Sequence, residues 1–240
     1  ADLIDVMDKV TPPGQDALRA TGASPFLDYR SQIKNPDWTE DSMLGPNSTL
    51  TTLFPTLLDS NDNNRAGMAR WLYLTQALQA HCVGTSISTY RQHSTVMASL
   101  NWALNSIWTG PAWGSISHDG SWKLLQYRLR HVFDPDLLSF EYPTPSNSYR
   151  TPPEPSRCAE GQVCLHISKH STGAADYNCT LVARDYVHGV PQGSISFRAT
   201  LPAIQPVGQG VFTADISTWL RAQTANRCDP SGADCFFDAQ

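Results

Sequence analysis

Five of the chain's 17 prolines fall between Pro143 and Pro155. Proline fixes φ and gives up its backbone donor, so neither a helix interior nor an inner strand can run through this stretch. It reads as an extended interdomain linker or an exposed loop. The apolar residues keep different periods on its two sides. Before it, residues 66–91 place Met68, Trp71, Leu72, Leu78 and Cys82 at near-helical spacing, with Cys82 expected as a buried thiol and His81 as a surface residue. After it, residues 163–167, 179–183, 194–199 and 210–214 are short alternating runs between Gly, Pro and Asn turns, the pattern of an antiparallel sandwich. The expected class is therefore α/β followed by all-β.

Other segments are weaker. Leu3, Ile4, Val6, Met7 and Val10 form a short helical stripe ended by Pro12-Pro13-Gly14. Residues 24–58 are mixed and broken at Asn35-Pro36 and Gly45-Pro46, with helical turns expected within 50–58. The polar run from Ser60 to Asn64 is a natural start for the long helix. A second helix is expected over 121–133, with Trp122, Leu125, Leu129 and Val132 on one face, Lys123, Arg128 and Arg130 outside, and Asp134-Pro135 as its stop.

Between these helices lies the densest aromatic stretch. Residues 99–127 hold four of the seven tryptophans. Residues 95–102 read as a short apolar strand, and Gly110, Pro111 and Gly114 break the chain beyond it into a loop that returns through the second helix. In such a βα unit the functional loop lies at the strand's C-terminal end, which is where Trp102, Asn105, Trp108 and Trp113 fall. Indole faces beside amides suit sugars, whose C–H faces stack while their hydroxyls need donors and acceptors. Clustered tryptophans also pack cores, so composition leaves both readings open.

Four blocks in order narrow the choice: YLTQALQAHC at 73–82, WALNSIW at 102–108, PAWGS at 111–115 and GSWKLLQY at 120–127. Together they resemble the closing part of the catalytic barrel in β-mannosidases of glycoside hydrolase family 2. The resemblance implies that residues 1–135 are the C-terminal portion of a (β/α)8 barrel and that Trp102 is the tryptophan delivered to the floor of the sugar subsite. It further implies that residues 136–240 are an immunoglobulin-like β-sandwich, with 211–220 and the pair Cys228 and Cys235 as the best matches. Upstream, only Asp37-Trp38 is similar to the family's segment trailing the catalytic strand.

Retaining glycosidases need two carboxyl groups flanking the scissile bond, and the resemblance implies two glutamates. The chain has Glu40, Glu141, Glu154 and Glu160. None stands in the family's nucleophile strand, which precedes the Asp-Trp block, and the acid/base residue would lie further upstream still. No residue here is assigned a catalytic role. Where the family tends to read Trp-Gln-Leu-Asn-Asp, this chain has Trp102-Ala103-Leu104-Asn105-Ser106, without that amide and carboxylate. A complete barrel takes about 250 residues, so the segment can supply at most two or three of eight βα units. The resemblance thus implies an N-terminal partner chain or upstream segment carrying the glutamates, with a β-mannoside or other glycan as ligand. The alternative is a non-catalytic structural or carbohydrate-binding subunit.

A net charge of −5 with 17 Lys and Arg gives no basic surface for nucleic acid, and no apolar run reaches the length of a membrane span. Cys158 with Cys164 and Cys228 with Cys235 are candidate disulfide pairs; neither has CxxC spacing, which argues against zinc, and no cofactor is expected. Cys179 is left to pair elsewhere or with another chain. Two glycosylation triplets, at Asn47 and Asn178, agree with a secretory, lysosomal or vacuolar setting.

Overall fold

The computed structural model describes residues 2–10, 30, 50, 64–93, 96, 98–141, 158–159, 162–170, 172–185, 190–203, 210–219 and 235–239. The expected linker at 143–155, Glu40, Glu154, Glu160, Asn47, Cys228 and Asp37-Trp38 lie outside them. Two compact units are present. One comprises Ala1–Thr85 and Leu100–His131, the other Ser86–Ser99 and Val132–Gln240.

The first unit is built on helices. α1 spans Asp2–Val10 and α2 spans Arg65–Arg91, the latter ending within the second unit's residues. Asn64 starts α2: its Oδ1 accepts from the Gly67 amide at 2.9 Å, satisfying one of the donors that every helix leaves open at its first turn. Ile4 and Met7 of α1 are buried with Leu50 and with Met68, Trp71 and Leu74 of α2. Asp5 and Arg65 join the same two helices by an ion pair. Cys82, expected inside, is exposed: it keeps the helical phase of Trp71 but lies about three turns further along α2, beyond the residues of this cluster.

α3 spans Leu124–Val132, three residues shorter at its start than its periodicity suggests. Leu125, Leu129 and Val132 are buried as expected, but Trp122 is exposed and precedes the helix. Arg128 does not point away. Its side chain lies over Gly84 of α2, where a Cβ would come within 2.4 Å of Nε and 2.6 Å of Cγ, so a larger residue there would force the Arg128 side chain to move.

The expected strand over 95–102 is absent from its described residues. A parallel strand depends on neighbours that take its hydrogen bonds, and none flanks these residues among those described. Leu100 is 98% exposed as a result.

The second unit is antiparallel. One sheet has the order β1-β2-β5, from Asp136–Glu141, Cys164–Lys169 and Gly210–Asp215; the other has the order β4-β3-β6, from Pro191–Leu201, Ala175–Asp185 and Cys235–Ala239. Leu138, Phe140, Leu165 and Ile167 of the first sheet share apolar clusters with Cys179, Leu181, Phe197 and Leu201 of the second. The two sheets therefore bury one face each against the other.

β2 is buried on both faces, including His166, Ser168 and Lys169. Its polar side chains are satisfied locally. His166 Nε2 lies 2.9 Å from Glu141 Oε2, and Lys169 Nζ donates to the Gly173 carbonyl. The end of α2 is buried here too. Gln92 Nε2 donates to Ser139 Oγ and to the Phe140 carbonyl, both at 3.1 Å. Arg91 donates to the carbonyls of Val132, Asp134 and Pro135 at 2.6–2.9 Å, capping the exit of α3. Cys158 and Cys164 form a disulfide that fixes the approach to β2. Cys179 is a buried free thiol, not bridged to another cysteine.

Candidate functional site

The aromatic stretch folds as a closed loop on a small backbone frame. Ser106 N donates to the Ile116 carbonyl and Ile116 N to the Leu104 carbonyl, both at 2.9 Å, pairing Asn105 with Ile116 in a parallel bridge. Gly114 makes this possible. A Cβ there would meet the Asn105 carbonyl carbon at 2.8 Å and the Ser106 nitrogen at 2.9 Å, contacts that backbone cannot relieve. Ile116 then pairs antiparallel with Trp122 across a turn in which Gly120 takes φ +87° and Asp119 accepts from Ser121 N and Oγ.

Side chains from three segments tie the frame down. The buried Ser115 hydroxyl lies 3.0 Å from the Leu104 carbonyl and 2.6 Å from the Gln126 side-chain amide. Gln79 of α2 donates to the Trp113 carbonyl at 3.1 Å, and Gln76 accepts from Leu124 N at 3.3 Å where α3 begins. Lys123, like Arg128 and Trp122, departs from its helical period. It precedes α3 rather than lying on its outer face, and its ammonium donates to the Ala112 carbonyl at 3.2 Å and to Ser106 Oγ at 3.4 Å. Burial pushes its pKa below the usual lysine value. Its signal in the sequence was a lone cation between Trp122 and Leu124.

The side chains of the loop face water. Trp102 is 81% exposed, Trp113 58% and Trp108 41%, and Asn105 is exposed as well, with one long contact from Nδ2 to the Ser106 carbonyl. Fully burying an indole of about 200 Å² would be worth roughly 5 kcal/mol, and this chain leaves most of that unrealised at Trp102, over half at Trp113 and less than half at Trp108. The frame brings the backbones of Asn105, Gly114 and Ile116 together. It does not stack Trp102, Trp108 and Trp113 on one another; the ring pair among the described residues is Trp122 with Tyr127, edge to face at 5.2 Å. The peptide between Trp102 and Ala103 is cis.

Such a surface can stack and hydrogen-bond, but it holds no pair of acids. Asp119 is engaged in its turn. Of the four glutamates only Glu141 is among the described residues, and it pairs with His166 in the other unit. Among the described residues no group of His, Cys, Asp and Glu could hold a metal ion, and no helix is long and apolar enough to cross a membrane.

No family model matches the chain. Curated relatives do. A β-mannosidase from Capra hircus is 30% identical over 142 residues, covering 55% of this chain and 16% of its own length. The Bos taurus β-mannosidase is 43% identical over 79 residues, 29% of this chain and 9% of its own. β-Mannosidase A from Emericella nidulans is 36% identical over 86 residues, 34% and 9% respectively. The chain thus spans less than a fifth of the length of these relatives. Among solved structures, a β-D-mannosidase from Dictyoglomus thermophilum superposes with TM-score 0.54 at 14% identity, over 89% of this chain and 23% of that one. An exo-chitosanase from Amycolatopsis orientalis superposes with TM-score 0.50 at 13% identity, over 99% and 25%. At these identities the structures share a fold with the chain.

Proposed function

We propose that this β-mannosidase-like chain, similar to part of glycoside hydrolase family 2, furnishes the sugar-stacking wall of a glycosidase site whose catalytic glutamates lie on another chain or an upstream segment. In this reading residues 1–135 are the C-terminal portion of a (β/α)8 barrel and 136–240 an immunoglobulin-like β-sandwich. Trp102 lies beneath the terminal sugar of a β-mannoside, and Asn105, Trp108 and Trp113 line the mouth. The setting is lysosomal, vacuolar or secreted.

One observation carries this reading. Trp102 is largely solvent-exposed on a loop whose base is held by main-chain pairing and by Ser115, while the indole of Trp71 in the same unit is buried. A chain able to bury one tryptophan and holding another outside on a fixed frame has kept it for contact with something else. The residues here bind and orient. Stacking on Trp102 shields one sugar face from water, and the exposed Asn105 amide offers a donor and an acceptor to hydroxyls. Proton transfer and nucleophilic attack belong to carboxylates supplied from outside.

Coexpression with an N-terminal β-mannosidase segment that carries two strand-end glutamates tests this. Hydrolysis of an aryl β-mannoside that copurifies with both polypeptides supports it. A monodisperse monomer that ignores the N-terminal segment opposes it.

A second reading, a non-catalytic carbohydrate-binding subunit, is favoured by the altered 102–106 block. Ser106, standing where the family tends to carry a carboxylate, is buried and held by Lys123. Glycan binding that depends on Trp102, without hydrolysis in any complex, would select it.

A further inference from the structure

We propose that Asn178 carries an N-linked glycan, making the outer face of the β3–β4 hairpin a sugar-bearing surface turned to solvent. This does not rest on the glycosidase reading.

Strand alternation separates the two faces of β3. Tyr177, Cys179 and Leu181 turn into the apolar clusters that also hold Ile167, Phe197 and Leu201. Asp176, Asn178 and Thr180 turn the other way. Their partners across the ladder are Thr200, Arg198 and Ser196, so the outer face is polar along its length. Those neighbours satisfy one another. Arg198 and Thr200 both bond to Asp176 at 2.6 Å, and Thr180 Oγ1 lies 3.1 Å from Ser196 Oγ. Asn178 is exposed among them.

The acceptor triplet is Asn178-Cys179-Thr180. Because its middle residue points into the core, a substituent on the amide leaves the packing of Cys179 untouched. On the far side, β6 ends its pairing with Ala239 opposite Leu181, so among the described residues no strand flanks Asn178 there. The disulfide between Cys158 and Cys164 belongs to an oxidising compartment, which is where such transfer occurs.

The reaction needs a lipid-pyrophosphate-linked oligosaccharide as donor. Asn178 Nδ2 attacks the anomeric carbon, the carbon–oxygen bond to pyrophosphate breaks as the carbon–nitrogen bond forms, the amide loses one proton, and lipid pyrophosphate leaves.

The test is peptide mapping of the full chain secreted from a eukaryotic host and treated with peptide N-glycosidase in isotope-labelled water. Labelled aspartate at position 178 is the expected result. Asn178→Gln and Thr180→Ala each lose one glycan in mass, whereas Asn47→Gln retains the label at 178. An unmodified Asn178 peptide as the main species from secreted, disulfide-bonded protein overturns the proposal. The mapping uses the natural sequence, so poor folding of a variant would not obscure the outcome.

Discussion

Gln79, on the long helix α2, holds the carbonyl of Trp113 at 3.1 Å, linking two of the sequence blocks that lie 34 residues apart. With Gln76 bonding Leu124 N, it is how the helix positions the aromatic loop. Replacing Gln79 by Leu should cost about 1 kcal/mol of stability. Amide hydrogen exchange should rise at 113–115 while the centre of α2 keeps its protection.

The two kinds of tryptophan in the first unit should separate in mutants. Trp71→Ala empties a buried indole site beside Met7 and Met68 and should lower unfolding free energy by about 3–5 kcal/mol. Trp102→Ala should leave the denaturation midpoint nearly unchanged, since its side chain is already in water. Denaturant titration of both variants makes the comparison.

Removing the Cys158–Cys164 bridge by a double alanine replacement should lower stability by about 2 kcal/mol, the chain entropy released from so short a loop. The urea midpoint of the double variant measures it.

His170 gives the second unit a dependence on acid. Burial, then the Arg91 cation, hold its pKa below the usual histidine value, against the pull of Asp136. The folded state therefore favours the neutral ring. Its contribution is fully present above a pH of about 6.5 and is lost as pH falls through the lowered folded value. The ring is largely exposed, so the slope should be shallow; His170→Asn should remove it from a plot of stability against pH.

Much of this was legible in the residues. The polar run from Ser60 to Asn64 marked the start of α2, the α1 stripe contained the Ile4 and Met7 that are buried, and four alternating runs became β2 to β5. Other features were not. β1 carries Leu137 and Leu138 on opposite faces, both largely covered, so no alternation announces it. The strand expected before Trp102 depends on neighbours from distant sequence, which local pattern cannot supply. Lys123 was placed by helical period on an outer face, but the frame begins α3 one residue later and turns the ammonium under the loop.

The most direct measurement is hydrolysis of an aryl β-mannoside by the chain complexed with an N-terminal segment bearing both glutamates, wild type against Trp102→Ala. Stacking on the indole predicts a loss of at least tenfold in kcat/KM, about 1.4 kcal/mol, with the complex still assembling. Equal activity in the two complexes would contradict a sugar-stacking role for Trp102.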